Sequence, residues 1–302
     1  MTRTVSSWSV HRSPFRAMGS ACEVVLAASS VHDAQRLAQM AIDEVLRIER
    51  KYSRYTTESL IANINQQAGL RPVVCDDETW ALLQYASKLH EQSQGLFDIT
   101  SGVFRQAWNF QVPAIPSTET LDALRAKVGW HKVVLKDQSI ALPSAGMEID
   151  LGGFGKEYAA DRAAQVLQAQ GVVSGYVNLA GDMRFLGPKP TGEPWMIGIQ
   201  DPRHANQVVA TLPITQGGLA TSGDYERYFE VNGERYCHVL NPFTGQPVKF
   251  WRSVSVTAPA AVVAGCTSTM TMLKEEEGLA FLQATGFDFF AIDHAGKVHM
   301  RQ

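Results

Sequence analysis

The sequence predicts a mixed α+β fold of interleaved strands and helices, arranged as two intimate lobes with a cleft between them. Three observations lead there. Helical periods and β-rich runs alternate along the chain without the steady rhythm of βαβ units. The second half is richer in strands and carries Asn232-Gly233 between two of them, a strong hairpin signal. The 302 residues are 45% hydrophobic and 19% charged, ordinary globular composition with enough material for a large core.

Ala21 to Ala27 (ACEVVLA) reads as the first strand. Ser30 then caps a helix to about Tyr52, with Leu37, Ala41, Val45 and Ile48 at helical spacing. Asp76 or Asp77 caps a second helix, with Trp80, Leu83 and Leu89 on its inner face and Gly95 at its end. A third helix, Lys156 to Gln170, stops at Gly171, a good residue for the left-handed position past a helix end. Val172 to Leu179, Trp195 to Ile199 and Val208 to Ile214 read as strands, the last followed by a glycine turn at Gly217-Gly218. Glu226 to Val231 and Glu234 to Leu240 flank the Asn-Gly turn, and Ser253 to Ala258 alternates as a strand should. Helices are expected over Val262 to Leu273 and Glu275 to Ala284.

Bulk properties exclude several classes. A net charge of −3 leaves no basic footprint for nucleic acid. No apolar run approaches the roughly 20 residues of a membrane span, so no stable membrane insertion is expected. Met1 to Arg16 lacks the continuous apolar segment of a secretory leader. Cys22, Cys75, Cys237 and Cys266 are widely spaced and form no C-x-x-C pair or zinc pattern, which suits reduced thiols in a cytoplasmic protein.

The most informative stretch is Asp150-Leu-Gly-Gly-Phe-Gly-Lys156, leading into the third helix. Gly152, Gly153 and Gly155 leave main-chain groups bare, and the helix N-terminus and Lys156 add positive charge, a combination suited to phosphate. The spacing is neither a P-loop nor G-x-G-x-x-G, so the loop by itself reads equally as an ordinary turn. Five further patches carry chemistry: Met18-Gly19-Ser20; Ser53, Tyr55, Ser59 and Asn65; Phe97 to Gly102; His238 to Gly245; and Ala264 to Thr269. Each alone has a structural explanation. Asp98, Thr100 and Gly102 are good turn residues, as are Asn241-Pro242 and Thr244-Gly245, and Ser268 and Thr269 can bond back to helix carbonyls. Together they combine phosphate donors, hydroxyls, an aromatic ring, carboxylates and a histidine, a set suited to a dinucleotide and phosphoryl transfer.

Eight pieces occur in one order: Met-Gly-Ser; Ser-x-Tyr; Phe-Asp-Ile-Thr-x-Gly; Asp-Leu-Gly-Gly followed by Lys; Val-Asn-Leu-x-Gly-Asp at Val177 to Asp182; Ala-Thr-Ser-Gly-Asp-Tyr at Ala220 to Tyr225; His-x-x-Asn-Pro-x-Thr-Gly; and the late Ser-Thr pair. In this the chain resembles the ApbE family of FAD:protein FMN transferases from about Phe15 to Leu273. The resemblance implies a single flavin-transferase domain over residues 1–302, with the flavin in the cleft. It implies cleavage of the FAD pyrophosphate, transfer of FMN to a Thr or Ser of an acceptor protein, release of AMP, and assistance by Mg2+. Met18, Tyr55, Leu96, Phe97, Asp98, Asp150, Lys156 and Val239 would line the FAD site. His238 would deprotonate the acceptor hydroxyl. The Gly153 carbonyl, Ser268 and Thr269 would hold the metal. The alternatives are a non-catalytic FAD-binding protein and an FAD pyrophosphatase releasing free FMN.

Three positions depart from the family pattern. Gly265 stands where a metal-ligating Asp is usual, which is expected to weaken the metal when FAD is absent. Asn241 replaces Asp, with the turn expected to survive. Glu157 replaces Gly, and its carboxylate is expected either to meet the helix N-terminus or to substitute for the missing ligand. A Gly265→Asp substitution is expected to raise metal affinity. The family's lipoprotein cysteine and leader are not seen here, which again implies a cytoplasmic member.

Overall fold

A computed structural model describes residues 8–301. The first seven residues of Met1 to Arg16, the stretch read above for a leader, lie outside the described residues, as does Gln302. In chain order the first half forms β1 (Ser9–Ala17), β2 (Ser20–Ala28), α1 (Val31–Tyr52), α2 (Leu60–Gln66), β3 (Val73–Val74), α3 (Asp77–Gln92), a 3-10 helix (Ile99–Gln106), α4 (Thr118–Arg125), β4 (Val134–Lys136) and β5 (Ser139–Ala141). The second half forms α5 (Gly155–Ala169), β6 (Gly175–Leu179), β7 (Asp182–Gly187), β8 (Trp195–Gln200), β9 (Val208–Ile214), β10 (Gly217–Gly223), β11 (Tyr228–Val231), β12 (Glu234–Cys237), β13 (Trp251–Ala258), α6 (Ala261–Leu273), α7 (Gly278–Thr285), β14 (Asp288–Asp293) and β15 (Val298–Arg301). This is the mixed α+β class the sequence predicts. Among the described residues no helix is long and apolar enough to cross a membrane.

The chain divides into two compact units, each assembled from separate stretches. The first takes residues up to Glu49, Phe154–Thr221 and Ser255–Gly265. Its strands run in the order β1-β2-β6-β7-β10-β13, and β8 and β9 pair as a separate ribbon. β1 and β2 form a hairpin turned at Met18-Gly19, both with positive φ (51° and 71°), as a two-residue type I′ turn requires. The sequence reading missed β1 because it holds Pro14 and two arginines. It is an edge strand with largely accessible side chains, where proline is tolerated. β2 is central, and Val24, Val25, Leu26 and Ala27 are all buried. The predicted helical stripe Leu37, Ala41, Val45 and Ile48 of α1 is buried, and α5 buries Ala159, Ala160, Ala163 and Ala164 in close approach to β6 and β7.

Gly217 and Gly218 are not the turn the sequence predicts. They open β10, and the turn falls on the two residues before them. A side chain at Gly218 would run into the backbone of Ala261, so the glycine serves close packing.

The second unit takes Arg50–Gly153, Ser222–Val254 and the chain from Cys266 onward. It holds α2, α3, the 3-10 helix, α4, the small sheet β3-β5-β4, the hairpin β11-β12, and β14-β15 beside β13. Asp76 caps α3, accepting from the Thr79 amide at 2.9 Å, and Asn232-Gly233 turns the β11-β12 hairpin as expected. Trp108, Phe229 and Tyr236 stack in a core with Val103 and Phe104. The Trp108 indole donates to the Gly245 carbonyl at 2.7 Å and so anchors the turn that follows His238.

The β14-β15 hairpin is held by Asp293. Its Oδ1 accepts from the Ala295 and Lys297 amides at 3.0 and 2.9 Å, and its Oδ2 meets His299 Nε2 at 2.9 Å. Burial raises the Asp293 carboxyl, but these hydrogen bonds and the His299 charge outweigh it, and the net shift is downward. A carboxyl depressed in the fold contributes stability above its unfolded value and loses it as pH falls through the folded one. Asp293→Asn is therefore expected to cost about 1–2 kcal/mol near neutral pH. In urea titrations the difference should shrink as pH falls below the ordinary aspartate value of about 3.9 and through the lower value of the folded carboxyl.

Candidate functional site

In the second unit several of the residues predicted from the sequence lie along a chain of charges. The Arg54 guanidinium bonds Asp150 Oδ2 at 2.5 Å and the Tyr55 hydroxyl at 3.1 Å. Asp150 Oδ1 accepts from the Gly152 amide at 3.0 Å, which holds the glycine bend against its own acidic residue. Tyr55 is exposed. The modest burial of its phenol works upward, but the Arg54 hydrogen bond and the charges of Arg54 and Arg227 pull it below the usual tyrosine range. The Arg227 carbonyl accepts the His238 amide at 3.0 Å. Arg54 thus ties Tyr55 to Asp150, while His238 is joined to Arg227 through the main chain. Sequence reasoning missed both arginines: Arg54 is the variable middle residue of Ser-x-Tyr, and Arg227 lies just past the Ala220 to Tyr225 motif.

The Phe97 motif is built into the same unit. Phe97 is buried, with its ring edge where a Gly153 side chain would begin, 3.0 Å from the Cβ position. The ring supports the glycine bend from beneath. Asp98 spends both carboxylate oxygens on the protein: Oδ1 accepts from the Thr100 amide and hydroxyl at 2.7 and 2.6 Å, and Oδ2 from the Trp130 amide at 2.8 Å. Leu96 and Val239 are half-buried, and the Val239 carbonyl accepts from Val248 at 3.0 Å. Asn241 Oδ1 accepts from the Phe243 and Thr244 amides at 2.9 and 3.3 Å, so the turn survives the loss of Asp as expected.

Gly102 explains why the motif ends in glycine. A Cβ there would stand 2.6 Å from the Asp150 Cβ. Gly102→Ala is expected to push Asp150 off Arg54 and to cost about 1–3 kcal/mol through overpacking. A urea-denaturation midpoint unchanged from the parent would contradict this.

Three hydroxyls cluster in the same unit. Ser222 Oγ lies 2.8 Å from Ser268 Oγ and 3.1 Å from Thr269 Oγ1, tying the Ala-Thr-Ser-Gly-Asp-Tyr motif to α6. Among the described residues, no group of three or more His, Cys, Asp or Glu side chains is placed to hold a metal ion.

The first unit holds the other predicted residues. Met18, in the β1-β2 turn, donates its amide to Glu49 Oε1 at 2.7 Å. Lys156 ion-pairs with Asp182, the acid of the Val-Asn-Leu-x-Gly-Asp motif. Burial raises the Asp182 carboxyl, with Lys156 working against it. α5 begins at Gly155, one residue earlier than predicted, with no side-chain cap on its first amides.

Glu157 and Asp161, one turn apart on α5, both face α6. Asp161 accepts from the Ala261 and Val262 amides at 2.9 Å each and so caps α6. The Glu157 side chain lies over Gly265, with Cγ 2.6 Å and Cδ 2.7 Å from where a Cβ would be. Burial, then the Asp182 charge, pushes the Glu157 carboxyl well above the carboxylate range. This geometry bears on Gly265→Asp: a Cβ at 265 would fall within 2.7 Å of Glu157 side-chain atoms, so the substitution requires the Glu157 side chain to move aside.

Comparison with known proteins follows this geometry. A model of the ApbE family matches residues 18–291. The chain is 30% identical over 256 residues to a protein of Vibrio cholerae named FAD:protein FMN transferase, covering 82% of this chain and 76% of that one. Another protein of that name, from Treponema pallidum, is 32% identical over 268 residues, covering 80% and 74%. The crystal structure of the ApbE protein from Thermotoga maritima superposes with a TM-score of 0.90 at 29% identity, covering 97% of each chain. The chain belongs to the ApbE family.

Proposed function

We propose that this protein is an FAD:protein FMN transferase, its 302 residues working as one catalytic domain. The observation that carries the reading is the match, over four fifths of the chain, to relatives of that name. The geometry supports it. Arg54 and Arg227 supply cationic groups suited to a pyrophosphate. The glycine bend leaves main-chain groups open, and the uncapped first turn of α5 directs amides outward.

In the proposed reaction a Thr or Ser hydroxyl of the acceptor protein attacks the phosphorus of the FMN half. The new P–O bond forms as the bridging P–O bond to AMP breaks, and AMP leaves with the bridging oxygen. His238 takes the hydroxyl proton, since an alcohol is far too weak an acid to ionise unaided. Asp150 holds Arg54, and Tyr55 lies beside the same guanidinium, available to edge the flavin ring. Met18, Leu96, Val239 and the main chain at Phe97 and Asp98 complete the proposed FAD contacts, with Lys156 near the phosphates.

Ser268, Thr269 and the Gly153 carbonyl are hard oxygen donors of the kind Mg2+ accepts alongside substrate phosphates. Magnesium bound there would supply charge neutralisation at the phosphate oxygens. A cytoplasmic location belongs to the same proposal, supported by four buried cysteines with no disulfide among them.

The test is mass spectrometry of an acceptor peptide after incubation with FAD and Mg2+, with and without a chelator. One FMN added per peptide, and AMP released, is the expected result. Free FMN would indicate a pyrophosphatase instead, and bound FAD with no AMP a non-catalytic flavin carrier.

A further inference from the structure

Glu157 is an acid that the reaction described above leaves unused, and its surroundings are unusual. It is only 7% exposed. Its Oε2 is fully buried and has no hydrogen-bond partner. A buried oxygen of this kind is costly unless something pairs with it.

The neighbouring charges are already committed. Asp182 takes Lys156. Asp161 takes two α6 amides and lies 3.5 Å from Arg184. A buried carboxyl oxygen without a hydrogen bond can be satisfied by a cation in place of a proton.

Geometry says where that cation would be. α5 and α6 run antiparallel: Asp161 meets the start of α6 at Ala261, and one turn back Glu157 meets Gly265, one turn further on. Gly265 has no side chain, and the Glu157 carboxyl fills the space a side chain would take. Thr269 lies one turn beyond Gly265 along the same helix, and its hydroxyl is joined to those of Ser222 and Ser268. The unpartnered oxygen is on α5, and the α6 position that its side chain covers is one turn before Thr269.

We propose that Glu157 is a carboxylate ligand for a divalent, oxygen-seeking cation of the Mg2+ class, delivered from α5 across the gap left by Gly265. The ligand's charge is thus carried by one helix while the facing helix supplies only the room. The two positions form a matched pair: a carboxylate at 157 requires glycine at 265, and a carboxylate at 265 requires a small residue at 157. This assignment rests on the transferase reading of the site, but its test does not depend on turnover.

The experiment is binding of Mn2+ alone to the full-length protein, read by the loss of the free-ion electron paramagnetic resonance signal, without FAD and then with it. Far-ultraviolet circular dichroism and FAD binding report whether each variant is folded. Glu157→Gln keeps shape and removes charge, and is expected to weaken Mn2+ by at least about tenfold, given that even outer partners of metal ligands cost that much. The double variant Glu157→Gly/Gly265→Asp is expected to return to within a few-fold of the parent. A folded Glu157→Gln that holds Mn2+ as tightly as the parent overturns the proposal, as does a parent that takes up no Mn2+ in either condition.

Should Glu157→Gln fail to fold, the double variant decides: recovered Mn2+ binding supports the proposal, and none overturns it. A parent that binds Mn2+ through Glu157 yet transfers no FMN would sink the transferase reading alone. A parent that transfers FMN while Glu157→Gln keeps its Mn2+ would sink the ligand assignment alone.

Discussion

Replacing His238 with alanine is expected to lower FMN transfer by about 10²–10⁴-fold, the usual contribution of a positioned general base. FAD affinity should hardly change, because the proposed role begins only when the acceptor hydroxyl must lose its proton. His238 follows directly on β12, with its amide on the Arg227 carbonyl. The turn beyond it is anchored by Trp108 to Gly245 and by Asn241 to two amides. The side chain can therefore be removed while the main chain keeps its hydrogen bonds. The measurements are the turnover number with a Thr-containing acceptor and flavin fluorescence on binding. A loss confined to the turnover number identifies a group acting in the transition state. A variant within tenfold of the parent would move the base elsewhere.

The second large effect is on stability. Asp161→Ala is expected to destabilise the protein by about 2–4 kcal/mol, because the two amides that start α6 are left without their acceptor. Both Asp161 oxygens are used, one on Ala261 and one on Val262, and Arg184 would lose its carboxylate as well. Asp161→Asn keeps one acceptor oxygen and should fall between the two. Urea denaturation checks this: the midpoint should drop with little change in slope. An unchanged midpoint would mean that α6 does not depend on its cap from α5. Because α6 carries both Gly265 and Thr269, a weakened cap should also loosen Mn2+ binding in protein that is still folded.

Much of the fold, and the motifs around the candidate site, were legible from the chain alone, in uneven ways. Motif order pointed to the family, since eight short pieces in sequence are hard to assemble by chance. Local chemistry also read well. The Asn232-Gly233 turn, the α1 stripe and the Asn241 turn all depend on neighbours a few residues away, and all three stand as expected. Edge strand β1 was missed because its partner, β2, makes it a strand, while its own residues discourage one. Gly217-Gly218 looked like a turn because glycine suits turns and close packing equally, and only the position of Ala261 separates the two.

The two arginines and the carboxylate at 157 show the same division at the site. Nothing near Arg54 in sequence announces Asp150, almost a hundred residues away, and nothing near Arg227 announces Tyr55. The missing acid at 265 and the extra acid at 157 are both visible in the sequence, but as separate oddities. By itself, the order of residues determined the fold class and the family, because those follow from local spacing and residue type. Only the packing of α5 against α6 decided that one oddity fills the space of the other, because the two positions lie over a hundred residues apart in the chain and within van der Waals distance in the folded protein.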